Sequence, residues 1–251
     1  MSQALVTAFS HVRSVIGIVF VIPYTVFCSC FAIFSGALGL HNRATDLIRV
    51  WSIAILGVFG IKVDIRGEEN LPAEGGGIVV FNHQSLLDIP VLVSSTGKRI
   101  RFGAKIELFK IPVFGAAMRA VGTLPIAREN RAGVMRIYKE AEARFKENFI
   151  FVLAPEGTRQ KQPVIGRFKK GPFLFATSGG VPIIPVVIKG ANAVLPKQSL
   201  GVNLGRLSRT IYIEYLPPVD AKSFASQKID ELVETVRSAM VAKYAALPSD
   251  P

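Results

Sequence analysis

The sequence predicts an α/β fold: a mixed, largely parallel sheet flanked by helices, preceded by an N-terminal membrane-embedded helical segment. Three observations predict it. Residues 14–40 contain no Asp, Glu, Lys or Arg. From Val63 onward, short β-branched runs alternate with helical stretches. The length, 251 residues, suits one sizeable α/β domain and a short appendage.

The first element is the uncharged run 14–40. As a helix rising ~1.5 Å per residue it is long enough to cross a ~30 Å hydrocarbon core. It is too long for a usual signal-peptide core, and no A-x-A-like cleavage site follows it. Pro23, Gly36 and Gly39 interrupt it, so a kinked or re-entrant segment stands beside a straight span. The next apolar run, 50–61, is too short to span and contains Trp51, a residue suited to the membrane interface. Residues 1–62 therefore read as a membrane anchor, either one span or a re-entrant hairpin, and 63–251 as the folded domain. His11 and His41 flank the apolar run and read as interface residues. Arg43, Arg49, Lys62 and Arg66 follow that run and only Arg13 precedes it, which places the C-terminal side on the cytoplasmic face.

In the domain, runs 63–65, 78–81, 123–126, 149–153, 183–188 and 211–215 read as strands. Residues 131–146 read as a helix with Val134, Ile137, Ala141 and Phe145 on one face. A last helix is expected over 223–247, with Ile229, Leu232, Val233, Val236 and Met240 on one face. Strands alternating with helices predict the parallel sheet. There is no internal repeat and no low-complexity linker.

Half the residues are hydrophobic, the mean hydropathy is +0.39 and the net charge is +12. Such a balance attracts polyanions: nucleic acid, anionic lipid headgroups or phosphorylated substrates. The apolar N-terminus favours lipid, and no nucleic-acid-binding motif is present. Cys28 and Cys30 are one residue apart, too close for an unstrained mutual disulfide. Neither a disulfide framework nor zinc-ligand spacing exists, so the fold suits a reducing compartment.

Three segments bring polar groups to the ends of predicted strands, where open α/β sheets build their sites. NHQSLLD (82–88) follows the strand 78–81 and contains His83 and Asp88. Histidine is a general base near neutral pH, and a carboxylate that fixes its tautomer improves it. Ser85-x-x-Asp88 also reads as a capping-box variant that starts a helix. PEGTR (155–159) follows the strand 149–153: Pro155 and Gly157 shape a tight turn, and Arg159 offers a donor fork suited to phosphate. Alone, it also fits a plain surface turn with an exposed ion pair. GTLPIAR (122–128) puts Arg128 at a third strand end. VPIIPV (181–186) fits core packing. The segment 166–175 alternates basic and aromatic residues, which suits anionic headgroups with rings at the interface, or a solvated loop entering a core helix.

Together and in this order, NHQSLLD, GTLPIAR, PEGTR and VPIIPV resemble the four motif blocks of the 1-acyl-glycerol-3-phosphate acyltransferase family, within the H-x4-D glycerolipid acyltransferases. The resemblance covers residues 63–219 and fits the compact bacterial members. It implies transfer of a fatty acyl group from acyl-CoA or acyl carrier protein to the sn-2 hydroxyl of 1-acyl-glycerol-3-phosphate, giving phosphatidic acid in phospholipid biosynthesis. It implies His83 as general base and Asp88 as its orienting partner. Arg128 and Arg159 would hold the substrate phosphate, with Lys105 as a further contact. Glu156 and Gly157 would shape the glycerol site, and Thr158 would also bind substrate. Two departures touch the pocket walls: Ala154 stands where the family usually has an aromatic, and Pro125 and Ala127 stand where it often has an aromatic and an acid.

The expected mechanism is direct transfer without an acyl-enzyme, since both cysteines lie in the predicted membrane segment. No cofactor and no metal are needed. The expected partners are membrane lipids and the acyl donor, with no nucleic acid, and the sequence sets no oligomeric state. The expected location is a bacterial inner membrane with the domain on the cytoplasmic face. Other acceptors remain open: glycerol-3-phosphate, a lyso-ornithine lipid or another lysolipid. A non-catalytic lipid-binding protein is the reading from a different class.

Overall fold

Strands buried on both faces read as continuous apolar runs, and β2 (Gly77–Phe81) and β6 (Ile183–Lys189) have that character. The computed structural model describes residues 3–198, 202, 208–224 and 228–248. Among these, β2 and β6 lie inside a seven-stranded sheet with β1 (Ile61–Arg66), β3 (Ile100–Lys105), β4 (Leu124–Ile126), β5 (Ile150–Leu153) and β7 (Arg209–Tyr215). The order is β1-β7-β6-β2-β5-β3-β4. The five strands from β6 to β4 are parallel, while β7 runs antiparallel to β6 and parallel to β1. The sheet is mixed and largely parallel, as predicted.

Successive side chains of a strand point to opposite faces, and the two cores follow that rule. Val79, Phe81, Ile150, Val152, Ile184, Val186 and Ile188 pack on one side with α2 (His41–Val58) and α3 (Asp88–Ser94). Ile78, Val80, Phe151, Leu153, Ile183 and Val187 pack on the other with α5 (Arg131–Ala141), α6 (Gly171–Gly179) and α8 (Ile229–Ala246). The two remaining helices of the domain are α4 (Phe114–Ala120) and the single turn α7 (Ala191–Val194).

One strand escapes the sequence reading. β3 holds Arg101 and Gly103 in place of a β-branched run, yet it pairs with both β5 and β4. Gly103 lets the strands pack closely: an added Cβ would lie 2.4 Å from the Leu153 side chain, which would have to shift. The segment 166–175 also differs from its interfacial reading: Phe173 and Phe175 are fully buried, and Phe168 packs against the same core. The alternative, a loop entering a core helix, is what forms. The last helix begins at Ile229 rather than at 223; Ala221–Ser223 is a 3-10 turn, and 225–227 fall outside the described residues.

The N-terminal helix α1 (Gln3–Ala37) runs on through Pro23 and is followed by a tight turn at Gly39, whose φ is 71°. It lies along the domain. Near one end Arg13 donates to the Val58 carbonyl and Ser14 to that of Val202, both at 2.8 Å. At the other end Gly36 faces Ala120, with room for an added Cβ only 3.0 Å away. Small buried residues face inward (Ser10, Ser14, Cys28, Ser29, Ala32, Ser35), whereas Phe9, Val12, Val15, Ile16, Val19, Phe27 and Phe34 are exposed. Trp51 turns toward α1, where its Nε1 donates to Thr25 Oγ1 at 2.9 Å, rather than outward. The His41 side chain lies outside the described residues.

Candidate active site

In a parallel sheet, strand C-termini share one edge, and here β2, β5, β3 and β4 end together. β2 leads into Asn82 and His83. Asn82 is fully buried and pins this end: its Nδ2 donates to the Ile188 carbonyl and its Oδ1 accepts the Ile188 amide, both at 2.8 Å. The next residue is thereby held at the sheet mouth.

His83 Nδ1 lies 2.8 Å from Asp88 Oδ2. The same oxygen accepts the amides of Gln84 at 2.8 Å and Ser85 at 2.9 Å. Asp88 opens α3 and is buried. The capping-box reading is half realised: Asp88 takes the Ser85 amide, but Ser85 Oγ accepts from Leu87 and donates to the Leu195 carbonyl. One carboxylate thus closes the loop and orients the imidazole. With an acceptor on Nδ1, the ring carries its proton there and leaves Nε2 as the basic nitrogen.

The β5 loop grips the same histidine from its backbone. Glu156 Oε1 accepts the His83 amide at 3.2 Å, and the Gln160 amide donates to the His83 carbonyl at 2.8 Å. The turn from Ala154 to Gly157 is closed by a 3.1 Å hydrogen bond, with Gly157 at φ 71°. That conformation favours glycine, and an added Cβ would also meet Lys169 at 2.9 Å. Glu156 is 5% exposed. Burial pushes its carboxyl up to about 7, against the pull of hydrogen bonds such as that from the His83 amide.

The cations stand farther out. Lys105 ends β3 and Arg128 lies two residues past the end of β4; both are exposed, and Lys105 pairs with Glu107 at 3.4 Å. Partial burial lowers the Arg128 guanidinium, and the neighbouring Glu107 raises it. With strands about 4.8 Å apart, the β4 end lies about 14 Å from the β2 end, a gap that a long arginine side chain and a glycerol phosphate can share. Thr158 and Arg159 follow on the β5 loop. Lys197 Nζ donates to the Arg159 carbonyl at 2.7 Å and contacts Thr158 Oγ1 at 3.3 Å. The structure therefore joins His83, Asp88 and Glu156 directly and places Lys105, Arg128 and Arg159 on separate loops of the same edge. Sequence reading missed Asn82, Gln160, Lys169 and Lys197. Asn82 acts on Ile188 and Lys197 on Arg159, 106 and 38 residues away, while Gln160 and Lys169 act through the β5 loop, and local spacing carries no signal of such contacts.

An imidazole held by a buried carboxylate, with cations on neighbouring loops of the same edge, is chemically able to take a proton from a hydroxyl and to bind an anion. Residues 62–189 match the family model described as Acyltransferase. The 1-acyl-sn-glycerol-3-phosphate acyltransferase of Escherichia coli is 31% identical over 240 residues, covering 95% of this chain and 94% of that one. The chloroplastic 1-acyl-sn-glycerol-3-phosphate acyltransferase BAT2 of Brassica napus is 37% identical over 158 residues, 62% of this chain. This chain matches only 45% of that plant protein's length. The crystal structure of the 1-acyl-sn-glycerophosphate (LPA) acyltransferase from Thermotoga maritima superposes with a TM-score of 0.79 at 26% identity, covering 98% of this chain and 97% of that one. The chain belongs to the 1-acyl-sn-glycerol-3-phosphate acyltransferase family.

Proposed function

We propose that this chain transfers a fatty acyl group from a thioester donor, acyl-CoA or acyl carrier protein, to the sn-2 hydroxyl of 1-acyl-glycerol-3-phosphate, forming phosphatidic acid. The observation that carries the reading is the 2.8 Å contact of His83 Nδ1 with the buried Asp88 carboxylate at the sheet's C-terminal edge. His83 Nε2 takes the hydroxyl proton as the oxygen attacks the thioester carbonyl. The Asp88 carboxylate, at Nδ1, stabilises the imidazolium that forms. The tetrahedral intermediate expels the thiolate, which takes the proton back from His83. Lys105, Arg128 and Arg159 bind the phosphate, and Glu156, Gly157 and Thr158 shape the glycerol site, so that hydroxyl and carbonyl meet in reacting geometry.

The same reading makes residues 1–62 a membrane anchor lying in one leaflet, with the domain on the cytoplasmic face. In support, both ends of α1 touch the domain, so the helix runs along it instead of projecting away. Its outward face is apolar from Leu5 to Phe34, as an interfacial helix requires. A one-chain acceptor and a two-chain product both partition into such a leaflet.

The test is an assay of purified wild type and His83→Ala with lysophosphatidic acid and a long-chain acyl-CoA, following thiol release and phosphatidic acid. Wild type should turn over, and the folded variant should lose about 10²–10⁴-fold in kcat. Equal rates would sink the mechanism. Activity only with another lysolipid or with an acyl carrier protein donor would reassign the substrate.

A further inference from the structure

The sheet has a second charged edge. At its N-terminal end, beside the starts of β3 and β5, opens a cavity of about 590 Å³. Arg43, Arg99, Arg101, Arg119 and Arg144 line it, and Glu147 is the single carboxylate among the lining residues. The arginines converge from distant parts of the chain: α2, the entry to β3, α4 and the 3-10 turn after α5. The site is built rather than loosely grouped. Two guanidiniums lie over the Phe149 ring, with Arg101 Cζ at 4.6 Å and Arg144 Cζ at 5.6 Å from its centroid. Arg119 is held by the Phe109 carbonyl at 3.2 Å. Gly122, at φ 74°, leaves an added Cβ only 3.0 Å from Arg101 Nε. Arg101 is 4% exposed, and burial, then the charges of Arg144 and Arg99, pulls its guanidinium down to about 10. Arg43, Arg99, Arg119 and Arg144 make no ion pair among the described residues.

Like charges gathered around a cavity repel one another and are relieved by an anion. Guanidinium forks match phosphate oxygens in pairs. The rim tells which phosphate. Gly39 and Leu40, in the turn between α1 and α2, line the cavity, and Leu40 is exposed, as is Leu38 two residues before it. A soluble phosphate has no use for such a rim, whereas a lipid rests its chains on it. The cavity is also distinct from the catalytic edge. Arg101 and Lys105 are both on β3, and at about 3.3 Å per residue they stand about 13 Å apart along the strand, with His83 farther still.

We propose that this cavity is a second phospholipid site, holding the phosphate headgroup of an anionic glycerolipid against the turn of the N-terminal hairpin, on the opposite edge of the sheet from His83. It uses none of the residues of acyl transfer.

The test titrates the full chain in nonionic detergent with dioctanoyl phosphatidic acid and counts bound lipid by native mass spectrometry. Wild type should bind two molecules, and Arg99→Gln/Arg144→Gln one, with affinity at the lost site down tenfold or more. Arg136→Gln/Lys228→Gln, which removes the same charge from exposed positions elsewhere, should still bind two. If the acyl-transfer reading is wrong, wild type binds one and the double variant none, so the two readings fail separately. A double variant that binds as many lipids as wild type overturns the proposal. So does displacement of that lipid by inorganic phosphate or by adenosine 3′,5′-bisphosphate at equal concentration, which would mark a soluble phosphate as the occupant. Arg43→Glu, on the hairpin side of the cavity, should give the same loss independently if the double variant folds poorly.

Discussion

The two edges of one sheet handle charge in opposite ways. At the C-terminal edge, His83, Asp88 and Glu156 are held by short contacts: Asp88 Oδ2 takes a ring nitrogen and two amides, and Glu156 takes the His83 amide. At the N-terminal edge, arginines from distant parts of the chain converge with one carboxylate among them. The difference separates two kinds of work. A base must be fixed in one tautomer and one direction, so its neighbours are hydrogen-bond partners of opposite character. A wall that binds an anion gains from gathering like charges, which the anion relieves.

The comparison is broken most sharply at Asp88. Asp88→Asn should lower kcat by about 10³–10⁴-fold, because the amide cannot hold the imidazole with Nε2 free. A loss below tenfold would mean that Asp88 serves only to start α3. Next comes Glu156. A buried carboxyl raised to about 7 keeps its proton in the folded chain over a range where the unfolded chain has released it. The folded state then binds more protons, so stability falls as pH rises from the ordinary carboxylate range toward 7. Glu156→Gln keeps the acceptor for His83 and removes this slope, up to about 3 kcal/mol of it. Denaturant midpoints of both proteins between pH 5 and 8 check it; parallel curves would refute it. A smaller effect is expected for Arg128→Gln, which should raise the KM for a phosphate-bearing acceptor about tenfold or more through loss of a charge-assisted contact. Its kcat should move far less, and an acceptor without phosphate should show no change. The smallest effect belongs to the other edge: Arg99→Gln/Arg144→Gln should leave kcat on detergent-dispersed substrates within about twofold, since distant sites act independently. A large fall would couple the two edges and erase the contrast.

Much of the catalytic edge was legible because its residues follow strands that announce themselves. Apolar runs marked β2 and β5, and the polar residues just beyond them had to sit at the sheet mouth. β3 gave no such signal, since Arg101 and Gly103 contradict strand propensity and are tolerated only because β5 and β4 flank them. The cationic cavity was illegible for the same reason, as its arginines are scattered from Arg43 to Arg144 and share no spacing. The segment 166–175 fitted an interface and a core-helix entry equally, and burial decided between them: Phe173 and Phe175 fill the core with Phe145 and Phe151.

By itself, the sequence determined the α/β alternation, the apolar helix at the start, the His83–Asp88 spacing and the strand ends that carry Arg128 and Arg159. These are consequences of local periodicity and of the short reach between neighbours in the chain. Only the tertiary structure decided that α1 lies along the domain, that Glu156 and Gln160 clasp His83 from the loop after β5, and that five arginines line one cavity. Those facts depend on strand order and on burial, which are set by packing between residues far apart in sequence.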